Sequence, residues 1–217
     1  MVKIPFFKNG FLAQEPGGNL AAQSPETGQA QEKDAEIARQ EIELLKIVLL
    51  RYREYIESNE SKNIIEMKGM IKPHDPVIIA QRDAILEGFH PYIYSENFLD
   101  AAKLACAMAE KIKTVSLPLN FWLSYGDMVS IGAGDDIGKA MFLCSLLRSL
   151  DSQDAKVAIC TDRKPLVAFT FNSKLYACTP DSGIGETQAE GDFESIGGQK
   201  VSYTFNDLEY TDKSEGE

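Results

Sequence analysis

Histidine is nearly missing from this chain: His74 and His90 are the only two in 217 residues. Any proton-transfer chemistry that needs an imidazole therefore has two places to start. No run of about 18 or more uncharged apolar residues occurs, so no transmembrane helix is expected. The start of the chain has one short apolar patch, broken by Lys8, Asn9 and Gly10. A secretory leader needs roughly 7–15 uninterrupted apolar residues, so a cytoplasmic protein is expected. The four cysteines, Cys106, Cys144, Cys160 and Cys178, form no CxxC pair. That spacing disfavours a zinc ribbon, a redox motif and a secreted disulfide framework. They read as buried free thiols in a reducing compartment. Basic residues are outnumbered by acidic ones, 22 to 33, for a net charge of −11, which disfavours a nucleic-acid-binding surface.

The acidity is local. From Thr179 to Glu217 there are ten acidic residues against Lys200 and Lys213, so this stretch holds eight of the eleven net charges. It reads as a solvated C-terminal segment rather than an acidic site. At 44% hydrophobic and 25% charged, the chain is neither disordered throughout nor fibrous, and it is long enough for one domain plus an appendage.

Four segments follow from the pattern. Residues 1–32 are rich in Gly, Gln, Ala and Pro and read as a flexible arm. Its one apolar cluster (Ile4, Phe6, Phe7, Phe11, Leu12) is either a docking motif or folds back on the domain. Residues 33–59 read as a long amphipathic helix. Ile42, Leu45, Leu49, Tyr52 and Ile56 recur at alternating three- and four-residue steps, widened by Leu44, Ile47 and Val48. That stripe either packs on its own domain or pairs in a coiled coil, and self-association through residues 34–58 is one expectation. Residues 60–212 form the main domain and 213–217 an acidic tail.

Within the domain, helices are expected from about Asp75, from Glu96 to Lys113, and from Asp135 or Asp136 to Leu150. The last is apolar nearly all round, as a central helix would be. Strands are expected at Val157–Cys160, Leu166–Phe171 and Lys174–Cys178, the latter two joined by a tight turn at Asn172-Ser173, with a further one at Val201–Phe205. Helices followed by strands give an α+β fold. Met141, Cys144 and Leu147 should be buried against strands around Ile159, Val167 and Phe169.

The glycine-rich stretch Gly132-Ala133-Gly134-Asp135-Asp136-Ile137-Gly138-Lys139-Ala140 is the obvious place for chemistry. A phosphate loop needs glycine at 133 and Ser or Thr at 140, and both are alanine. Two aspartates would also repel phosphate. Asp135 or Asp136 reads instead as a helix cap.

The run from Trp122 through Asp136, continuing as Lys139-Ala140 and Leu143-Cys144-Ser145-Leu146-Leu147-Arg148, resembles the transglutaminase-like superfamily in its archaeal-type form. The resemblance covers residues 75–181 and is sharpest over 132–150. It implies a papain/transglutaminase-like core, with N-terminal helices and a central helix packed on a small antiparallel sheet. In that family a Cys attacks an amide carbonyl, a His moves its proton and an Asp orients the His. Carried over, the Cys position falls on Asp136, the His position on Val167 and the Asp position on Thr179. None can do the work. The resemblance therefore implies a domain without enzymatic activity, serving as a protein-binding or scaffold module for a protein partner, with no cofactor and no metal. The alternative is a cysteine-dependent hydrolase or acyltransferase with a relocated site, drawn from Cys144, Cys160 or Cys178 and one of the two histidines.

Overall fold

In a computed structural model, residues 25–60, 62–116, 121–190 and 193–213 are described. The expected arm therefore lies outside them up to residue 24, and the acidic tail from residue 214 onward. The chain divides into two compact units, Met1–Val48 and Leu49–Glu217.

Helix α1 spans Pro25–Arg51. It begins inside the segment expected to be an arm. The reason is local: proline suits the first helical position, and Gln, Ala, Glu and Lys after it are good helix formers. Every residue from Ala35 through Tyr55 is exposed, the apolar stripe included.

The second unit holds the remaining elements. Helix α2 (Arg53–Glu60) is followed by α3 (Ile64–Lys68), ahead of the first domain helix expected from about Asp75. A capping box explains it: Asn63 accepts from the Glu66 N–H, and Glu66 accepts from the Asn63 N–H. Helix α4 (Pro76–Leu86) starts with Asp75 as its cap and Pro76 at its first position. Helix α5 (Tyr94–Lys111) gives way to a two-residue strand, β1 (Lys113–Thr114). Helix α6 (Tyr125–Ile131) leads into β2 (Ala133–Gly134), which pairs in parallel with β1.

Helix α7 (Asp136–Ser149) is buried without interruption from Gly138 to Arg148. It packs against α4 and α5 on one side and against β3 (Lys156–Cys160) and β4 (Pro165–Phe171) on the other. Met141, Cys144 and Leu147 are each at most 1% exposed and share a core with Ile159, Val167 and Phe169. Phe98 of α5 extends that core, meeting the Phe169 ring edge-on at 5.3 Å.

The sheet is larger than the sequence implies. Strand β4 turns through Asn172 and Ser173, both at positive φ, into β5 (Lys174–Cys178). Two positive φ values define the hairpin turn whose twist matches that of the strands. Strands β6 (Gly185–Thr187), β7 (Ala189–Glu190), β8 (Ser195–Ile196), β9 (Gln199–Phe205) and β10 (Tyr210–Asp212) follow. The order is β6-β5-β4-β3-β9-β8-β7, with β10 also on β9. Every strand-to-strand pairing in it is antiparallel. The expected small sheet is thus an eight-stranded one that nearly closes on itself. The two ends of that order, β6 and β7, are consecutive in the chain and joined through Gln188, whose carbonyl accepts the Gly197 N–H at 3.0 Å and extends the β7–β8 ladder. Closure makes a second, smaller core of Ala158, Cys160, Leu166, Ala168, Ile196 and Val201 on the face away from α7. Along β4, side chains alternate between the two cores, which is why nearly every residue of that strand is buried.

Candidate functional site

The start of α7 is built by its glycines and aspartates for packing. Gly132 ends α6 in the left-handed region, at φ 70°. Asp135 is the cap of α7, and its carboxylate accepts the Gly138 N–H at 3.1 Å. A Cβ at Gly138 would lie 2.5 Å from that same carboxylate oxygen, so only glycine fits beneath the cap. Burial raises the Asp135 pKa, with the cap bond opposing the shift. The sequence leaves the capping role open between two aspartates. The structure gives it to Asp135, and Asp136 is the exposed first residue of the helix.

The other two positions matching the family triad lie on β4 and just after β5. Val167 is fully buried and stands opposite Cys178 in the β4–β5 ladder. Thr179 follows Cys178, is exposed, and its hydroxyl lies 2.7 Å from that of Ser182. Lys139, one turn after Asp136, contacts Asp181, two residues after Thr179. The start of α7 and the end of β5 are thereby tied together. No hydrogen bond among the described residues links Asp136, Val167 and Thr179.

The tie is the most unusual polar feature of the domain. Lys139 is 0% exposed, and its Nζ donates to Asp181 and, at 2.9 Å, to Thr114 of β1. The Thr114 hydroxyl in turn reaches Asp181 at 2.9 Å. The hydrogen bond from Lys139, helped by that from Thr114, holds the Asp181 carboxyl below its usual range. Sequence reading misses this network. Its only sequence signal is a lysine among apolar neighbours in a helix that is otherwise buried.

Two further polar residues of the same helix are also fully engaged. Ser145 accepts the Lys72 N–H at 3.0 Å, donates to the Met141 carbonyl at 2.8 Å, and lies 2.7 Å from the Tyr125 hydroxyl. Arg148 grips Asp207 with two nitrogens, at 2.7 and 3.1 Å, and donates to the carbonyls of Ser152 and Gln153. Trp122 donates to the Glu60 carbonyl at the end of α2.

The thiols and imidazoles occupy different environments. All four cysteines are buried and unpaired as disulfides, whereas His74 and His90 are exposed. No hydrogen bond joins a cysteine to a histidine among the described residues. Burial pushes the Cys144 thiol far above its ordinary value. Its contact with Cys106, and then burial, raise that of Cys178; burial and nearby Asp162 raise that of Cys160. A thiol so placed is a poor nucleophile. Among the described residues, no three His, Cys, Asp or Glu side chains converge as metal ligands.

An open cleft of about 320 Å³ lies at one end of the nearly closed sheet, lined by Cys178, Thr179, Ser182, Thr187 and Gln199 among others. Its polar side chains are the Cys178 thiol, the hydroxyls of Thr179, Ser182 and Thr187, the Gln199 amide and the Glu186 carboxylate, with no histidine, lysine or arginine among them.

No family model and no curated protein matches the sequence. Solved structures of Legionella pneumophila LapG align with 63% of this chain and 92% of their own, at 15% identity and a TM-score of 0.41. The calcium-bound form of that protein gives 16% identity and a TM-score of 0.39, covering 63% of this chain and 91% of its own. A likeness at these values assigns neither fold nor function.

Proposed function

We propose that the chain is a transglutaminase-like domain that retains the polar fasteners of that fold without its chemistry, and serves as a protein-binding or scaffold module. The observation that carries this reading is the contrast along one motif. Lys139, Ser145 and Arg148, which belong to the resemblance, each hold together distant parts of the second unit. The three positions that would act on a substrate hold an exposed carboxylate, a buried valine and a neutral hydroxyl. Valine cannot accept a proton, and a carboxylate at the helix start cannot replace a thiolate as acyl acceptor. The alternative, a relocated Cys–His site, finds no support in the separation of buried thiols from exposed imidazoles.

The test is to restore the chemistry. The triple variant Asp136→Cys, Val167→His, Thr179→Asp should gain a thiol at position 136 that alkylates rapidly and with a pKa below the ordinary thiol value. If the introduced thiol reacts no faster in the triple variant than in Asp136→Cys alone, the three positions do not hold the family geometry. The transglutaminase-like reading is then wrong.

A further inference from the structure

Along α1, eight large apolar side chains are between 38% and 63% exposed, Ile42, Leu45 and Leu49 among them. The helix is 27 residues long, about 40 Å. Its apolar residues fall into heptads. Ala35, Ile42 and Leu49 occupy the first core position; Ala38 and Leu45 occupy the fourth. Beyond α1 the seven-residue spacing in the sequence recurs at Tyr52 and Ile56, where the Ile56 N–H bond to the Tyr52 carbonyl, at 3.0 Å, opens α2.

We propose that this face is covered by the same face of a second copy of the chain, in a parallel, in-register, two-stranded coiled coil. The charges beside the seam choose the occupant and its direction. One flanking row is wholly basic: Arg39, Lys46 and Arg53. The other carries Glu41, Val48 and Tyr55. An antiparallel pair would set the basic row against itself. A parallel pair sets each flanking residue against the one five positions later on the other copy, so Glu41 meets Lys46 twice by symmetry. Ile42 at the first core position with Leu45 at the fourth favours two strands. Leu44 and Val48 border the seam on one side and widen the covered strip, while Ile47 and Leu50 remain on the outer face. The arrangement gives the scaffold reading a valence of two. It does not rest on the triad positions, so either proposal can fail alone.

Sedimentation equilibrium on the full chain at micromolar concentration tests it. The expected mass is twice the 24.0 kDa of one chain. Leu45→Glu, at an exposed site, should give a monomer whose circular dichroism and thermal unfolding are otherwise retained. Lys46→Glu should weaken the dimer about tenfold, because two attractive pairs become repulsive. The double variant Glu41→Lys, Lys46→Glu should restore it. Leu45→Cys under mild oxidation should give a symmetric disulfide between the two copies, the four native thiols being buried. A monomer throughout the micromolar range overturns the proposal, whether residues 1–24 or a lipid surface covers the face instead. A dimer that survives Leu45→Glu, or forms no disulfide in Leu45→Cys, overturns it too.

Discussion

Lys139 illustrates how one side chain can tie distant parts of a fold together while its partners stay hidden in the sequence. A lysine at zero exposure is tolerable only if its ammonium finds partners, and here Asp181 and Thr114 supply them. Asp181 itself is 56% exposed on its side chain, so the pair stabilises less than a fully buried one would. Asp181→Asn should leave the ammonium under-compensated and cost about 1–3 kcal/mol at neutral pH, toward the lower end. Lys139→Met, which removes the buried charge altogether, should cost less, as replacing a buried ion pair by apolar groups often does. Urea unfolding of both variants checks the order. The pH dependence has a definite sign. Because the folded carboxyl titrates below the unfolded one, near about 3.9, its contribution is present above that value. It is lost as pH falls through the lower folded value. The gap between the native chain and Asp181→Asn should therefore be widest at neutral pH and close on acidification. This residue's role was illegible beforehand because its partners lie 25 and 42 positions along the chain. Spacing within the helix says nothing about them.

At the scale of elements, α7 and the β4–β5 hairpin are the parts most plainly written in the sequence. Fourteen residues that are apolar nearly all round leave few alternatives to a central helix, and Asn-Ser between two alternating β runs fixes the turn. Leu147→Ala should cost on the order of 2–5 kcal/mol, since Leu147 is at 0% exposure between helices and sheet. Thermal unfolding of that variant against the native chain measures it. Helix α5, by contrast, begins at Tyr94 rather than Glu96 and ends at Lys111. Lys113 and Thr114 are drawn off into β1 because a parallel partner, β2, lies beside them. Strands β6, β7 and β8 had no sequence signal. They are two or three residues long, hold Gly, Glu, Ser and Thr, and exist because β5 and β9 offer edges to pair with. Short polar strands of this kind are decided by their neighbours, not by propensity. The near closure of the sheet, and the cleft at its end, were hidden for the same reason.

At the scale of the whole second unit, Lys139, Ser145 and Arg148 tie the central helix to distant parts of the chain, and on the reading proposed above the three positions matched to the family's triad carry no chemistry. Asp136 is exposed, Val167 is sealed in the sheet, all four thiols are buried, and burial disfavours the ionised form of Cys144 and Cys160. On the reading proposed above, this fold presents surface and carries out no acyl transfer. The most direct measurement is the rate of iodoacetamide labelling at each cysteine of the native full chain from pH 6 to 9, resolved by mass spectrometry. The account predicts four slow thiols whose labelling accelerates together only in denaturant, with no step in rate below pH 8. One cysteine that labels rapidly in the native protein, with a rate that titrates near neutrality, would contradict it.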